Sequence, residues 1–470
     1  MEPLVPSLPL PLTLPVCAGA LALVLLQVWR LWDLQVAFVL LAVWLRYSIA
    51  IFHEYTYPPV LLGFSIVALT SIGVVAIGLL VVRSRMLLMR KLVPIYTLMV
   101  IVLVSAAANQ EWVGAANEIA KWLYLTVLAL ATYEAMSRYG SERILSAFVV
   151  VFAAPITLQW ISFAAGFHST NEDGSPNFIG GYSHEQAFSI IIMTFLVVTC
   201  LSWRTSMTSA YIRLAIAAAG LVLANYRTTL LAATVPAAAF AVDRLLGKFV
   251  RKHRSVALVF LAAVTVVAFV TIANLAQERF VDVGATLHKG TSLIQPSIYF
   301  TSDELRLFSG RVHVWALYLE AYLRSDIVHW LIGFGPESWV TKFPLYAHNT
   351  FISYTYELGL FGLIVLIWIL LSNAVIAAQV RGEGKLVLLA CHFGFFVLNL
   401  ATMPLWTIEG DILYAILLAY TWYQLSLQPA TRSSSSARAG PSTAVYGVRR
   451  TSAGLVHGGR AAGDPDWRAT

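Results

Sequence analysis

The chain has 470 residues, 59% hydrophobic and 12% charged, with a mean hydropathy of +0.75 and a formal net charge of +7. A soluble domain carries about a quarter charged residues. Half that fraction, with apolar runs near ~20 residues recurring along the chain, argues against a soluble or nucleic-acid-binding protein and predicts an all-α polytopic membrane protein.

Candidate spans lie near 15–31, 34–52, 58–82, 92–108, 118–136, 143–166, 185–203, 209–224, 227–246, 255–275, 349–379, 385–404 and 410–427. That makes thirteen transmembrane helices, or twelve if the first is only interfacial. The expected organisation is a bundle over 1–275, an extracytoplasmic loop over 276–348, further membrane helices over 349–428 and a tail over 429–470. One helix from 209 to 246 would run about 57 Å, nearly twice the ~30 Å of hydrocarbon. A break is therefore expected at Asn225-Tyr226-Arg227. Met1 to Pro15 has no basic stretch, so no cleaved signal peptide is expected. Cys17, Cys200 and Cys391 all sit in apolar runs and read as small buried side chains.

Lys and Arg set the orientation. Arg83, Arg85, Arg90 and Lys91 share one loop, Arg204 and Arg213 another, and Arg244 to Arg254 a third. The loops between are poor in basic residues. This alternation puts the long loop outside and the tail inside, and contact with membrane lipids follows. The tail holds six arginines against two aspartates and is rich in Ser, Ala and Gly, so it reads as a disordered, basic, solvated segment.

Within the loop, Ser302-Asp303-Glu304 looks like a helix start. Leu305, Phe308, Val312, Trp315, Leu319 and Tyr322 then recur at three- and four-residue spacing. They predict an amphipathic helix of about five turns, apolar face down on the membrane or the bundle mouth.

Four polar side chains are candidates for chemistry. Arg227 opens a hydrophobic span, where free N–H groups and a guanidinium make a phosphate-type anion site; the alternative is snorkelling to headgroups. Arg311, from its neighbours alone, reads as a solvated helix charge. His348, at the junction of loop and span, is a candidate general base titrating near its ordinary ~6.5, or an interface histidine. Glu357 lies nine residues on. In a straight helix that is half a turn away and about 13.5 Å deeper, so it reads as a structural acid. His184-Glu185 and His53-Glu54 are weaker pairs. No HExxH or Walker loop is present, and neither a metal nor a cofactor is expected.

His348-Asn349-Thr350-Phe351 followed by Glu357-x-Gly359-x-x-Gly362 resembles the O-antigen ligase and polymerase superfamily of membrane glycosyltransferases. Three further patterns agree with it: Ser309-Gly310-Arg311 with Trp315, Gly333-Phe334-Gly335-Pro336-Glu337-Ser338-Trp339, and Gly181-Tyr182-Ser183-His184-Glu185-Gln186. Asn225-Tyr226-Arg227-Thr228 keeps the arginine of the family's Ser-Arg-Gly and loses its serine and glycine. The resemblance covers roughly 140–427.

It implies transfer of a glycan from a polyprenyl-diphosphate carrier to an acceptor hydroxyl, without metal, outside the bacterial inner membrane. The acceptor would be lipid A-core for a ligase, or another carrier-linked glycan for an O-antigen or exopolysaccharide polymerase. Arg227 and Arg311 would bind the diphosphate and help it leave, and His348 would act as base or orient the hydroxyl. His184, Asn349 and Trp315 would meet substrate, while Glu357, Gly359 and Gly362 would be structural. The alternative from another class is a transporter or flippase of an anionic lipid-linked glycan. The absence of visible inverted repeats counts against it.

Overall fold

In the computed structural model, residues 8–61, 63–170, 175–202, 206–246, 295–302, 304–306 and 310–428 are described. Their architecture is all-α, with two short antiparallel β-ladders. The predicted span 255–275, Phe308, loop residues 276–294 and the tail lie outside the described residues.

Helices occupy the apolar runs in order: α1 (Leu10–Leu31), α2 (Leu34–Ile51), α3 (His53–Thr56), α4 (Ile66–Val81), α5 (Ser84–Leu87), α6 (Val93–Asn109) and α7 (Trp112–Tyr139). α8 (Ser141–Phe148) and α9 (Ala153–Ala164) follow, then α10 (Glu185–Leu201), α11 (Met207–Ala224) and α12 (Arg227–Leu246). Beyond the loop come α13 (Arg311–Leu323), α14 (Ile327–Ile332), α15 (Trp339–Lys342), α16 (Thr350–Gln379), α17 (Lys385–Ala401) and α18 (Ile408–Ser426). Among the described residues, six helices are long and apolar enough to cross a membrane: Leu10–Leu31, Leu34–Ile51, Arg90–Asn109, Ser141–Ala164, Met207–Ala224 and Thr350–Gln379.

Local chemistry sets the boundaries. Asp33, Ser65, Ser206, Asn349 and Thr407 each accept a backbone N–H in the first turn of the helix they open. Asn225 takes a left-handed conformation (φ 56°) and closes α11, so the expected break before Arg227 is there. The run 58–82 forms helix only from Ile66. Pro59 to Leu61 pairs with Phe64 and Ser65 as a β-hairpin instead, because consecutive prolines at 58 and 59 offer no N–H to a helix.

The core gathers around two helices with almost no exposed face. α10 is buried from Phe188 to Leu201, and α18 from Ile408 to Trp422. α7 packs along α18, α12 along α17, and α11 along α10. The three cysteines are free and buried. Two acids of the core are answered: Arg46 meets Glu409 at 2.9 Å, and Glu118 accepts from Tyr354 (2.6 Å) and the Trp122 indole (3.1 Å).

The described part of the loop folds back over one end of the bundle. Its helix is shorter than its apolar spacing suggests. Gly310 is left-handed (φ 76°), which separates the short 3-10 turn at Glu304–Arg306 from α13, and α13 has 13 residues rather than five turns. The buried stripe is shifted too. Val314 and Tyr318 pack with Ala347, Tyr356 and Met403, while Val312 and Ala316 lie on Phe300. Leu305 and Leu319 stay exposed. The helix has two partners rather than one apolar floor, so a single-stripe reading misplaced its face.

α16 is broken at Gly359 (φ 66°, ψ −165°). The carbonyls freed by the break are used. Tyr356 O accepts from Phe334 N (3.0 Å), and Glu357 O accepts from Gly335 N (3.0 Å) and the Ser105 hydroxyl (3.0 Å). The approach is so close that a Cβ at Gly333 would sit 2.3 Å from the Glu357 carbonyl, and one at Gly359 2.5 Å from that of Leu331. At Gly362, one would sit 2.2 Å from the Leu358 side chain.

Candidate active site

The loop end of the bundle assembles a polar cluster from segments far apart in sequence. Arg311, the first residue of α13, donates to the Thr228 hydroxyl (3.1 Å), the Ala401 carbonyl (2.9 Å) and the Tyr226 hydroxyl (3.2 Å). Tyr226 lies under the guanidinium, 5.8 Å from its ring centre, and reaches Gln186 (3.4 Å). Tyr346 donates to the same Gln186 oxygen at 3.2 Å. One network thus joins α10, α12, α13 and the end of the loop. Three backbone and side-chain acceptors hold Arg311 in place, while its Nε is buried without a partner. A guanidinium fixed in this way keeps donors for a ligand.

His348 stands beside it. The residue is left-handed (φ 51°) and precedes the Asn349 cap, so helix arithmetic from His348 to Glu357 does not apply. The ring packs on Tyr346, centroids 3.9 Å apart, and its Nδ1 is buried without a partner. Burial first, then the charges of Arg311 and His184, push the imidazole down to about 3. The ordinary value near ~6.5 that the sequence alone suggests does not hold here. The imidazole is neutral at physiological pH, the form that accepts a proton.

The other expected residues take distinct places. His184 caps α10 through Nδ1 (3.1 Å from Gln186 N) and lies near enough to depress His348. Trp315 donates to Ala347 O (2.7 Å), holding the backbone just before His348. Asn349 caps α16 and donates to Leu400 O (2.7 Å), fixing the chain just after it. Arg227 is half-buried at the start of α12. Its neighbours Tyr226 and Thr228 both hydrogen-bond to Arg311. Glu357 accepts the Ser353 hydroxyl and the Glu337 N–H (2.6 Å), which ties α16 to the loop.

Several contributors were visible in the sequence only as context. Tyr226 and Thr228 flank Arg227, Gln186 ends the 181–186 motif, and Tyr346 precedes His348 by two. The Ala401 carbonyl leaves no signal, since every residue has one. Glu118 stands at the edge of the span expected over 118–136, and Lys121 lies inside it. They lie within α7, where Lys121 joins Glu118 (3.5 Å) to Glu337 (3.4 Å). Among the described residues no three His, Cys, Asp or Glu side chains gather as a metal-ligand set.

Residues 212–367 match the sequence model of the O-antigen ligase family. The match is narrower than the resemblance over 140–427. It includes Tyr226, Thr228, Arg311, Trp315, His348 and Glu357, and it stops short of His184, Gln186 and Ala401. No curated protein matches the chain. The chain is thus an integral membrane protein that carries an O-antigen ligase family domain over residues 212–367, which implies an enzyme of glycosyltransferase type.

Proposed function

We propose that the protein transfers a glycan from a polyprenyl-diphosphate carrier to an acceptor hydroxyl, at the extracytoplasmic face of a bacterial inner membrane that it crosses twelve or thirteen times. The observation that carries this reading is the meeting of a tethered guanidinium, Arg311, and a neutral imidazole, His348, close enough for the first to depress the second. Glycan transfer needs both. The bond from the anomeric carbon to the diphosphate breaks, and its electron pair leaves with the carrier. Arg311 stands where that charge grows, and Arg227, at the start of α12 beside the Thr228 that Arg311 holds, adds positive charge. The acceptor oxygen forms the new bond and loses its proton to a ring nitrogen of His348.

The diphosphate itself makes the base effective. It offsets the charge of Arg311 and adds a negative field, and both raise the imidazole toward working pH. The step therefore needs no metal, and chelator should leave the rate unchanged.

Lipid A-core and a second carrier-linked glycan both fit as acceptor. The departures at Asn225–Thr228 and in 181–186 favour a polymerase of O-antigen or exopolysaccharide over a ligase. The surface glycan of a strain lacking the protein separates the two. Single repeats without long chains indicate a polymerase, and loss of all attached glycan indicates a ligase. An unchanged surface glycan contradicts the proposal.

A further inference from the structure

Three half-buried rings form one aromatic wall that reaches His348 through Tyr346. Tyr346, already packed on the imidazole, stacks on Trp406 at 5.2 Å, and Trp339 meets both rings nearly edge-on, at 6.0 Å from Tyr346 and 5.6 Å from Trp406. From another side the Lys121 ammonium lies 5.4 Å from the centre of the Trp406 ring, anchored by Glu118 and Glu337. The wall is therefore fixed in place.

Its two indole N–H groups are not satisfied. The indole N–H of Trp339 and that of Trp406 are both shielded from solvent and meet no acceptor, as is His348 Nδ1. Buried polar groups are ordinarily paired, and a buried indole N–H in particular finds a partner. Two orphaned donors in one aromatic wall, next to an orphaned imidazole nitrogen, mark a place built for a ligand with both an apolar face and acceptor oxygens. A phosphate has no use for the rings, and an acyl chain leaves the N–H groups unmet. A pyranose fits both, with C–H faces against the rings and hydroxyls toward the donors.

We propose that Trp339, Tyr346 and Trp406 form a sugar-ring subsite that holds the acceptor sugar against His348, apart from the diphosphate position at Arg311. The proposal rests on the glycan-transfer reading above and adds to it where the sugar sits. Trp406 lies outside the matched family segment.

The test measures binding by the full-length protein in detergent, with two probes. One is glycan released by mild acid from the host envelope; the other is polyprenyl diphosphate without sugar. Trp339→Ala and Trp406→Ala should weaken glycan binding about tenfold and leave polyprenyl diphosphate binding unchanged. Trp339→Phe and Trp406→Phe keep an aromatic ring but lose the donor and part of the ring area, and should weaken it about threefold. Equal glycan binding by wild type and all four variants overturns the subsite, as does failure of the wild type to bind glycan. If the alanine variants misfold and lose both probes, the phenylalanine pair decides: selective loss of glycan supports the subsite, while no loss or loss of both overturns it. Because binding needs no turnover, the two readings fail separately. Protein that binds glycan at these rings yet never joins sugars contradicts the transferase and keeps the subsite. Protein whose ring variants bind and transfer as wild type keeps the transferase and removes the subsite.

Discussion

The Arg311 guanidinium donates to the Thr228 hydroxyl across 3.1 Å, joining residues 83 apart in sequence. That bond, with those to Tyr226 and Ala401, aims a flexible side chain before any substrate arrives. Arg311→Ala should cut transfer by about 10²–10³-fold, the usual cost of losing one donor to developing charge. Arg311→Lys should recover part of it, because one ammonium cannot serve three acceptors and a phosphate in a fork. Transfer rates per mole of purified, monodisperse protein check both. Undiminished transfer in Arg311→Ala removes the residue from the site.

Arg227 stands at the start of α12 between Tyr226 and Thr228, the two residues that hold Arg311. Its expected part is attraction of the carrier's charge rather than aim. Arg227→Ala should raise KM for the carrier-linked donor more than it lowers kcat, and Thr228→Val should do the reverse. Donor titrations at saturating acceptor read the split. A pure kcat loss in Arg227→Ala would instead place it at the reacting bond.

His348→Ala should lower turnover by about 10²–10⁴-fold, the range for a positioned base, with binding of polyprenyl diphosphate retained. The pH profile carries the sign. Burial and the charges of Arg311 and His184 hold the free imidazole near about 3. kcat/KM, which reports the free enzyme, should show no histidine step between about pH 5 and 8. kcat reports the loaded enzyme, where the diphosphate raises the imidazole, so its acid limb should lie at higher pH. The same burial bears on stability. The unfolded imidazole titrates near ~6.5, so the contribution of a neutral His348 is whole above that value and is lost as pH falls toward the folded one. A kcat/KM limb near 6.5 that vanishes in His348→Ala would contradict the buried, unprotonated imidazole.

The break in α16 should be intolerant of side chains. Gly359→Ala places a Cβ 2.5 Å from the Leu331 backbone at φ 66°, and Gly333→Ala places one 2.3 Å from the Glu357 carbonyl at φ 72°. Left-handed strain and the collision together should cost about 3 kcal/mol or more. Thermal aggregation midpoints in detergent should fall for both, with transfer lost in parallel. Glu357→Gln keeps an oxygen for the Glu337 N–H and should be milder than Glu357→Ala.

The chain's organisation was largely legible, because apolar length and caps are local properties. Asn225 closes α11 where length demanded a break, and α10 begins at Glu185, where a span was expected to start. The site was legible only in part. Arg227 drew notice as a charge at a span end, His348 as an imidazole at the loop junction and Arg311 only through the family resemblance, but the company they keep is set by packing between α10, α12, α13 and α17. The helix face of α13 was misread because two separate clusters divide it. The break at Gly359 was hidden because a glycine in an apolar run does not announce a left-handed turn. The pairing of Lys121 with Glu118 and Glu337 was not legible, since burial of a paired charge cannot be read from one helix.

Orientation can be checked on the same protein. The three native cysteines are free and buried, so labelling background should be low. Ile298→Cys, 76% exposed in the loop, should react with an impermeant thiol reagent in intact cells, and Leu88→Cys, 85% exposed in a basic loop, only after lysis. Equal labelling of both before lysis contradicts the assigned sides.

The most direct measurement reconstitutes purified protein with carrier-linked glycan and acceptor, without added metal, and follows sugar bonds and released carrier together. The account predicts one polyprenyl diphosphate released for each new glycosidic bond, insensitive to chelator and lost in His348→Ala and Arg311→Ala. Movement of intact carrier-linked glycan across the bilayer, with no bond formed and no carrier released, would contradict it.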